Sequence, residues 1–368
     1  MKVPFLDLKS QYLSIQDEIK HAIESVLNAT AFASGPFVAD FEKQFASAHQ
    51  VPFCIGVNSG TSALHAALWA LEIGPGDEVI VPVNTFIATA EAVSLTGAKP
   101  VFVDCDDRMY HMDSNHLSKA RSKKTRAIIP VHLYGQPVDM APIMEFAGSY
   151  GLKVVEDCAQ AHIALIKEKP VGGFGQCGCF SFYPGKNLGA YGEAGAVTTT
   201  DPALSEKILM YRDHGSKIKY HHDYIGHNYR MEGIQGAVLG VKMKHLNEWT
   251  EARIRAAQVY NELLADVPQV TVPQILPGIK HVYHLYVIRC DKRDLLQTFL
   301  IENGISTGLH YPVPLHMQKA YKHLKYKKGD FPVAEKCADQ ILSLPMYPEI
   351  QRDQLVYVTD KIREFYKK

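Results

Sequence analysis

Between about residue 50 and residue 240, short β-rich runs around Ile55, Val79, Val101, Ile128, Val154, Phe180 and Val197 alternate with helical stretches. A helical crossover between two strands brings the chain back parallel to where it started, and a parallel sheet needs helices on both faces. The alternation therefore predicts an α/β fold with a mostly parallel central sheet flanked by helices. Ser10 to Asn28 carries apolar residues at Tyr12, Ile15, Ile19, Ala22, Ile23, Val26 and Leu27, the stripe of one amphipathic helix that packs on the body. After a helix around Glu248 to Leu264 and the proline-rich stretch Val272 to Pro277, the strand His284 to Arg289 and later helices read as a smaller α+β domain. The expected division is an N-terminal helical segment at 1–30, a large domain at 31–247 and a small C-terminal domain at 248–368. No repeat or low-complexity linker interrupts it.

Bulk properties bound the function. Lys plus Arg equals Asp plus Glu at 39 each, so no basic excess points to nucleic acid. No apolar run approaches the roughly 20 residues of a membrane span, and Asp7 and Lys9 break any leader-like stretch, so a cytoplasmic protein is expected. The seven cysteines form no disulfide framework, in keeping with a reducing compartment. Cys177 and Cys179 have no second Cys or His pair at matching spacing, so they read as small core residues and no metal site is expected. Gly173-Phe-Gly-Gln-Cys-Gly178 matches the dinucleotide-binding pattern letter for letter, but that pattern must open a helix and here a strand follows it.

Four windows carry chemistry. Lys186 follows a short apolar strand and lies in a turn with Gly185, Gly189 and Gly192, which let backbone approach a flat ligand; a Schiff-base lysine and an ordinary loop lysine both fit. Asp157 ends the apolar run Val154-Val-Glu-Asp157 at a strand's carboxyl end, where ligands of open α/β sheets gather; a helix cap is the plainer alternative. Ile55 to Leu64 passes from a strand through Asn58-Ser-Gly-Thr-Ser-Ala63 into a helix, so the amides of Gly60, Thr61 and Ser62 can receive a phosphate while Ser59 caps the helix. Phe86 stands at a strand–helix junction, either over a ring or in the core. A cofactor that stores electrons in a pyridine ring needs a carboxylate at its nitrogen, a phosphate cradle and an apolar cover, and these windows hold candidates for each.

Taken in order, the motifs resemble the DegT/DnrJ/EryC1/StrS sugar aminotransferases, from Val3-Pro-Phe-Leu-Asp-Leu8 to Ser343-Leu-Pro-Met-Tyr-Pro348. The most specific pieces are Asn58 to Ala63, Glu156-Asp-Cys-Ala-Gln160, the block from Ser181 to Gly195, and Gly226-His-Asn-Tyr-Arg-Met-Glu-Gly-Ile-Gln235. The resemblance implies the pyridoxal-phosphate-dependent type I aminotransferase fold. It makes Lys186 the Schiff-base lysine and proton shuttle, Asp157 the partner of the ring nitrogen, and Gln160 that of the ring hydroxyl. Phe86 would stack on the ring, and Gly60, Thr61 and Ser181 would hold the phosphate of pyridoxal 5'-phosphate. Asn228 would join them from a second subunit, which implies a homodimer with shared sites. One departure follows Gln160, where such chains often continue with a small residue and then Gly-Ala but this one reads Ala161-His-Ile-Ala164.

The implied reaction moves the amino group of L-glutamate, by way of pyridoxamine 5'-phosphate, to the keto carbon of a nucleotide-linked sugar. His310-Tyr-Pro-Val-Pro-Leu-His316 resembles the segment of members that aminate carbon 3, so His310, Tyr311 and His316 become sugar contacts, with Tyr183 beside the lysine turn. Structural histidines in a proline-stiffened loop are the alternative for His310 and His316. Arg230 and the polar run Tyr220-His-His222 lie in a segment that could meet a diphosphate, while a plain solvent-facing stretch is the simpler account of His221 and His222. The alternatives are a 4-aminotransferase, a sugar dehydratase and a non-catalytic regulatory protein; relatives of the dehydratase kind replace the lysine with histidine.

Overall fold

The computed structural model describes residues 1–367. The N-terminal amphipathic stretch, expected as one helix, is two: α1 (Leu8–Ser14) and α2 (Gln16–Ala29). Asp7 caps α1 through the amide of Ser10, and at Ile15 the backbone leaves helical geometry with φ −127° and ψ 16°. Across the break, the buried side chains of Ile15 and Ile19 pack with Val238, Val241 and Trp249.

The central sheet contains β1 (Phe53–Val57), β2 (Glu78–Pro82), β3 (Lys99–Val103), β4 (Thr125–Ile128), β5 (Lys153–Asp157), β6 (Cys177–Ser181) and β7 (Gly195–Thr199). Their order is β1–β7–β6–β5–β4–β2–β3. The neighbours from β3 to β6 are parallel, and β7 runs antiparallel to both β6 and β1. All five residues of β7 are buried, as a sheet covered on both sides requires. Covering helices include α3 (Pro36–Ala48), α4 (Gly60–Ala70), α5 (Ile87–Leu95), α6 (Met140–Tyr150), α7 (Pro202–Arg212) and α8 (Gly233–Met243). Cys177 and Cys179 lie in the core under α4, as small apolar residues do, and all seven cysteines are free and buried.

Long helix α9 (Leu246–Leu264) leads to a second, antiparallel sheet of β8 (Val270–Thr271), β9 (Tyr286–Cys290) and β10 (Ile341–Leu344). This sheet has its own core, to which the N-terminus contributes Val3, bridged to Ile305. From there residues 4–7 run back toward the first sheet. Among the described residues, no helix is long and apolar enough to cross a membrane.

Candidate active site

A cavity of about 580 Å³ opens where the parallel strands end, between the two sheets. The loop after β1 forms one wall. Ser59 caps α4, its hydroxyl accepting from the Ser62 amide at 3.0 Å while its carbonyl takes the Ala63 amide. That leaves the amides of Gly60 and Thr61 unpaired among the described residues, both lining the cavity at the positive end of a helix. A Cβ at position 60 would sit 2.6 Å from the Ser181 Cβ, so only glycine lets the two strand ends close into one cradle. The cap thus uses the Ser62 and Ala63 amides and leaves those of Gly60 and Thr61 turned to the cavity.

Asp157 and Lys186 face this space from the end of β5 and the turn after β6. Burial drives the Lys186 amine down to about 8, opposed by the negative charge of Asp157. The same burial raises the Asp157 carboxyl above its ordinary range. Its Oδ2 accepts from the Thr89 hydroxyl at 2.7 Å and its Oδ1 from the Ala159 amide at 3.1 Å. Gln160 accepts from the Tyr134 amide at 2.5 Å and donates to the Tyr311 hydroxyl at 3.1 Å. Phe86 is no core residue: it is 53 % exposed at the cavity edge, 5.4 Å from the Tyr311 ring. Of the turn glycines, only Gly185 lines the cavity; a Cβ at Gly189 would meet the Pro184 carbonyl at 2.3 Å, so Gly189 serves the turn's own packing.

The residues expected at the sugar divide. Tyr183, His310 and Tyr311 line the cavity. His310 stacks on Phe5 and bonds the Ser343 hydroxyl through Nδ1 at 2.8 Å, and burial lowers its pKa to about 4, which leaves the imidazole neutral. His316 does not reach the cavity. It is buried against Phe331 and bonds Glu335 at 2.9 Å, so the structural alternative holds there. Arg230 is likewise outside this chain's cavity, paired with Asp213. Asn228 stands exposed on that segment, its carbonyl accepting from the Asn58 amide group at 3.4 Å. Tyr220, His221 and His222 are exposed on a hairpin of their own.

Other cavity residues were not singled out as site residues in the sequence, although Phe5, Leu6 and Met346 fall within the two segments that bound the family resemblance. Phe5, Leu6 and Met346 come from opposite ends of the chain, and His284 lies two residues before the strand β9 of the second sheet. Thr89 lies one turn into α5 and emerges only through its bond to Asp157. The departure after Gln160 has a local effect: Ile163 holds φ +54°, a conformation that suits glycine, yet is buried in the core. The glycine-rich run that mimics a dinucleotide motif turns out to wrap a carboxylate. Glu156 accepts from the amides of Gly172, Phe174 and Gly175 at 2.7–2.9 Å and pairs with His132 at 3.2 Å. His132, Glu156 and Cys158 cluster as metal ligands do, but these bonds already saturate the first two.

A desolvated lysine, a buried carboxylate and an open anion cradle at the carboxyl edge of a mostly parallel sheet are the parts of an aminotransferase. Residues 13–363 match the model of the DegT/DnrJ/EryC1/StrS aminotransferase family, and the chain belongs to that family. It is 46 % identical to the "Pleiotropic regulatory protein" of Geobacillus stearothermophilus, over 100 % of this chain and 99 % of that protein. It is 45 % identical to a UDP-N-acetyl-3-dehydro-alpha-D-glucosamine 3-aminotransferase of Acidithiobacillus ferrooxidans, over 98 % and 97 % of the two chains. Among solved structures, S. venezuelae DesV in complex with a ketimine intermediate superposes with a TM-score of 0.98 at 43 % identity, covering 100 % of this chain and 99 % of that one.

Proposed function

We propose that the chain transfers the amino group of L-glutamate to carbon 3 of a nucleotide-linked keto sugar. In this reading it works in the cytoplasm as a homodimer, with pyridoxal 5'-phosphate as cofactor. The observation that carries it is the meeting of Lys186, Asp157 and two unpaired amides in one cavity. The cradle fits a phosphate, the carboxylate fits a pyridinium, and Phe86 offers a flat, half-exposed face. The 3-aminotransferase relative supports the choice of carbon.

When bound, pyridoxal 5'-phosphate supplies an electrophilic carbonyl for the donor's amine and a ring that withdraws electrons from the adjoining carbon. The chain's own residues do the rest. Gly60, Thr61 and Ser181 would hold the phosphate, with Asn228 of a second copy completing the cradle. Asp157, fixed by Thr89, keeps a proton on the ring nitrogen; Gln160 bonds the ring hydroxyl and Phe86 covers the ring. The Lys186 amine takes a proton at Nζ and returns it at the neighbouring carbon, and an amine near 8 is well matched to both steps near neutral pH. Tyr183, His310 and Tyr311 orient the sugar. A non-catalytic role, to which the Geobacillus protein's name points, would not require this set intact.

Purified protein mixed with pyridoxal phosphate is expected to gain a visible absorption band that L-glutamate bleaches and a 3-keto nucleotide sugar restores. Lys186→Ala is expected to fold, to lose the borohydride-trappable bond to the cofactor, and to lose turnover. Near-normal turnover in that variant, or restoration only by a 4-keto sugar, would overturn the assignment as stated.

A further inference from the structure

His284 lies on the cavity wall between the two sheets, and neither its spacing nor its neighbours in the sequence singled it out. Its backbone is held rigidly. The guanidinium of Arg253, buried beneath, donates to the carbonyls of Tyr283, His284 and Met346 at 3.2, 3.4 and 3.0 Å. On either side, the amides of Val282 and Leu285 bond the carbonyls of Gly135 and Tyr134 at 2.9 and 3.2 Å. Gly135 must be glycine for this approach, since a Cβ there would lie 2.9 Å from the His284 nitrogen. Two cavity residues, His284 and Met346, thus share one anchor.

The ring is unlike its anchored backbone. Nδ1 is buried with no hydrogen-bond partner among the described residues. Nε2 makes no bond to the protein either, and as the remaining polar atom of a cavity-lining ring it opens on the cavity. An unpaired buried N–H is rarer in folded proteins than an unpaired buried acceptor, so the proton belongs on Nε2. The imidazole then presents one N–H donor to a space in which, among the described residues, Lys186 is the one lysine or arginine on the lining. Burial and the charges of Lys186 and Arg253 lower its pKa well below the ordinary histidine value, so it stays neutral at working pH.

Building on the aminotransferase reading, we propose that His284 is a substrate-contacting residue of this site, its Nε2–H donating to an oxygen next to the reacting carbon. Both the amino donor and the keto sugar bring their reacting carbon to Lys186, so the contact serves both halves of the reaction. A neutral donor suits this position. It stabilises an oxygen as charge gathers there, without holding a carboxylate so tightly that product leaves slowly.

The test uses the cofactor-loaded protein and two variants, His284→Phe, which keeps a ring without the N–H, and His284→Gln, which offers an amide N–H. Cofactor loading, read from the visible band, should match wild type in both. The rates at which L-glutamate bleaches the band and keto sugar restores it should each fall about a hundred-fold in His284→Phe, the scale of one lost oxyanion donor. His284→Gln should recover about ten-fold of that loss. In parallel, the 15N-labelled histidine spectrum of the pyridoxal form should give an Nε2–H signal, absent in His284→Phe, that moves as 2-oxoglutarate is titrated in. Half-reaction rates within about two-fold of wild type in His284→Phe, or a signal unmoved by 2-oxoglutarate, overturns the proposal, as does loss of cofactor in both variants. A wild-type protein that ignores glutamate refutes the aminotransferase reading instead, and the 2-oxoglutarate titration then decides His284 alone.

Discussion

At the scale of the residue, Lys186 owes its role to what has been taken from it. Its amine is drawn out of bulk solvent into the cavity wall, the Asp157 charge only partly compensates, and the pKa falls to about 8. Only the neutral amine attacks an aldehyde. Covalent capture of pyridoxal phosphate by the cofactor-free protein should therefore quicken with rising pH and level off just above 8. A stopped-flow series across pH 6.5–10 checks this, and a rate still climbing past pH 9 would mean the amine is solvated as in free lysine. Which residues did the sequence disclose? Those whose partners are local: Gly60 and Thr61 follow a strand and open a helix, and that order alone makes an anion site. His310 and His316 read identically in one proline-stiffened loop, and only tertiary placement separates the cavity wall from the Glu335 pair. His284 had no local partner at all, so its place was illegible.

At the scale of the element, Glu156 does for the end of β5 what a cap does for a helix. Its side chain is fully buried, yet its oxygens gather three amides of the 172–175 loop and the His132 ring. The net of these contacts holds its carboxyl below the ordinary range despite burial. Next along the strand is Asp157, so the loop also fixes the residue that faces the cavity. Glu156→Gln exchanges an acceptor for a donor against those amides and should lower the unfolding free energy by about 3 kcal/mol or more. Denaturant titration would read this as a lower midpoint at unchanged slope, and a loss under about 1 kcal/mol would mean the loop is held by other means. Context in the sequence sufficed to reject the dinucleotide motif, since a strand follows it. It could not reveal the carboxylate being wrapped, because that residue comes from the neighbouring strand. The break at Ile15 was hidden for a similar reason: the apolar stripe runs through it, and the residues it packs with, Trp249 and Val238, lie far along the chain.

At the scale of the molecule, the cavity exists because two sheets with separate cores meet, and the chain's first residues cross between them. Alternation foretold the central sheet and one strand of the second, but Phe5 beside His310 and Met346 on the Arg253 anchor required the assembled fold. The interior around this junction and its supports is rich in histidine that never charges. Burial lowers His49 to about 4, and His111, His162 and His281 to about 3. In the unfolded chain each titrates near 6.5, so between about pH 6.5 and 4 the unfolded state binds protons that the folded state refuses. Stability must then fall as pH falls, with each such group contributing up to about 1.4 kcal/mol per pH unit. Glu156 acts in the same sense lower down, since its folded carboxyl gives up stability as it is protonated. The thermal midpoint should decline steadily from pH 7 to pH 5 and steepen below that, well before carboxylates alone would demand it. A midpoint flat from pH 7 to pH 5 would mean these histidines are hydrated or charged in the folded protein, and a neutral His284 beside Lys186 would lose its physical basis with them.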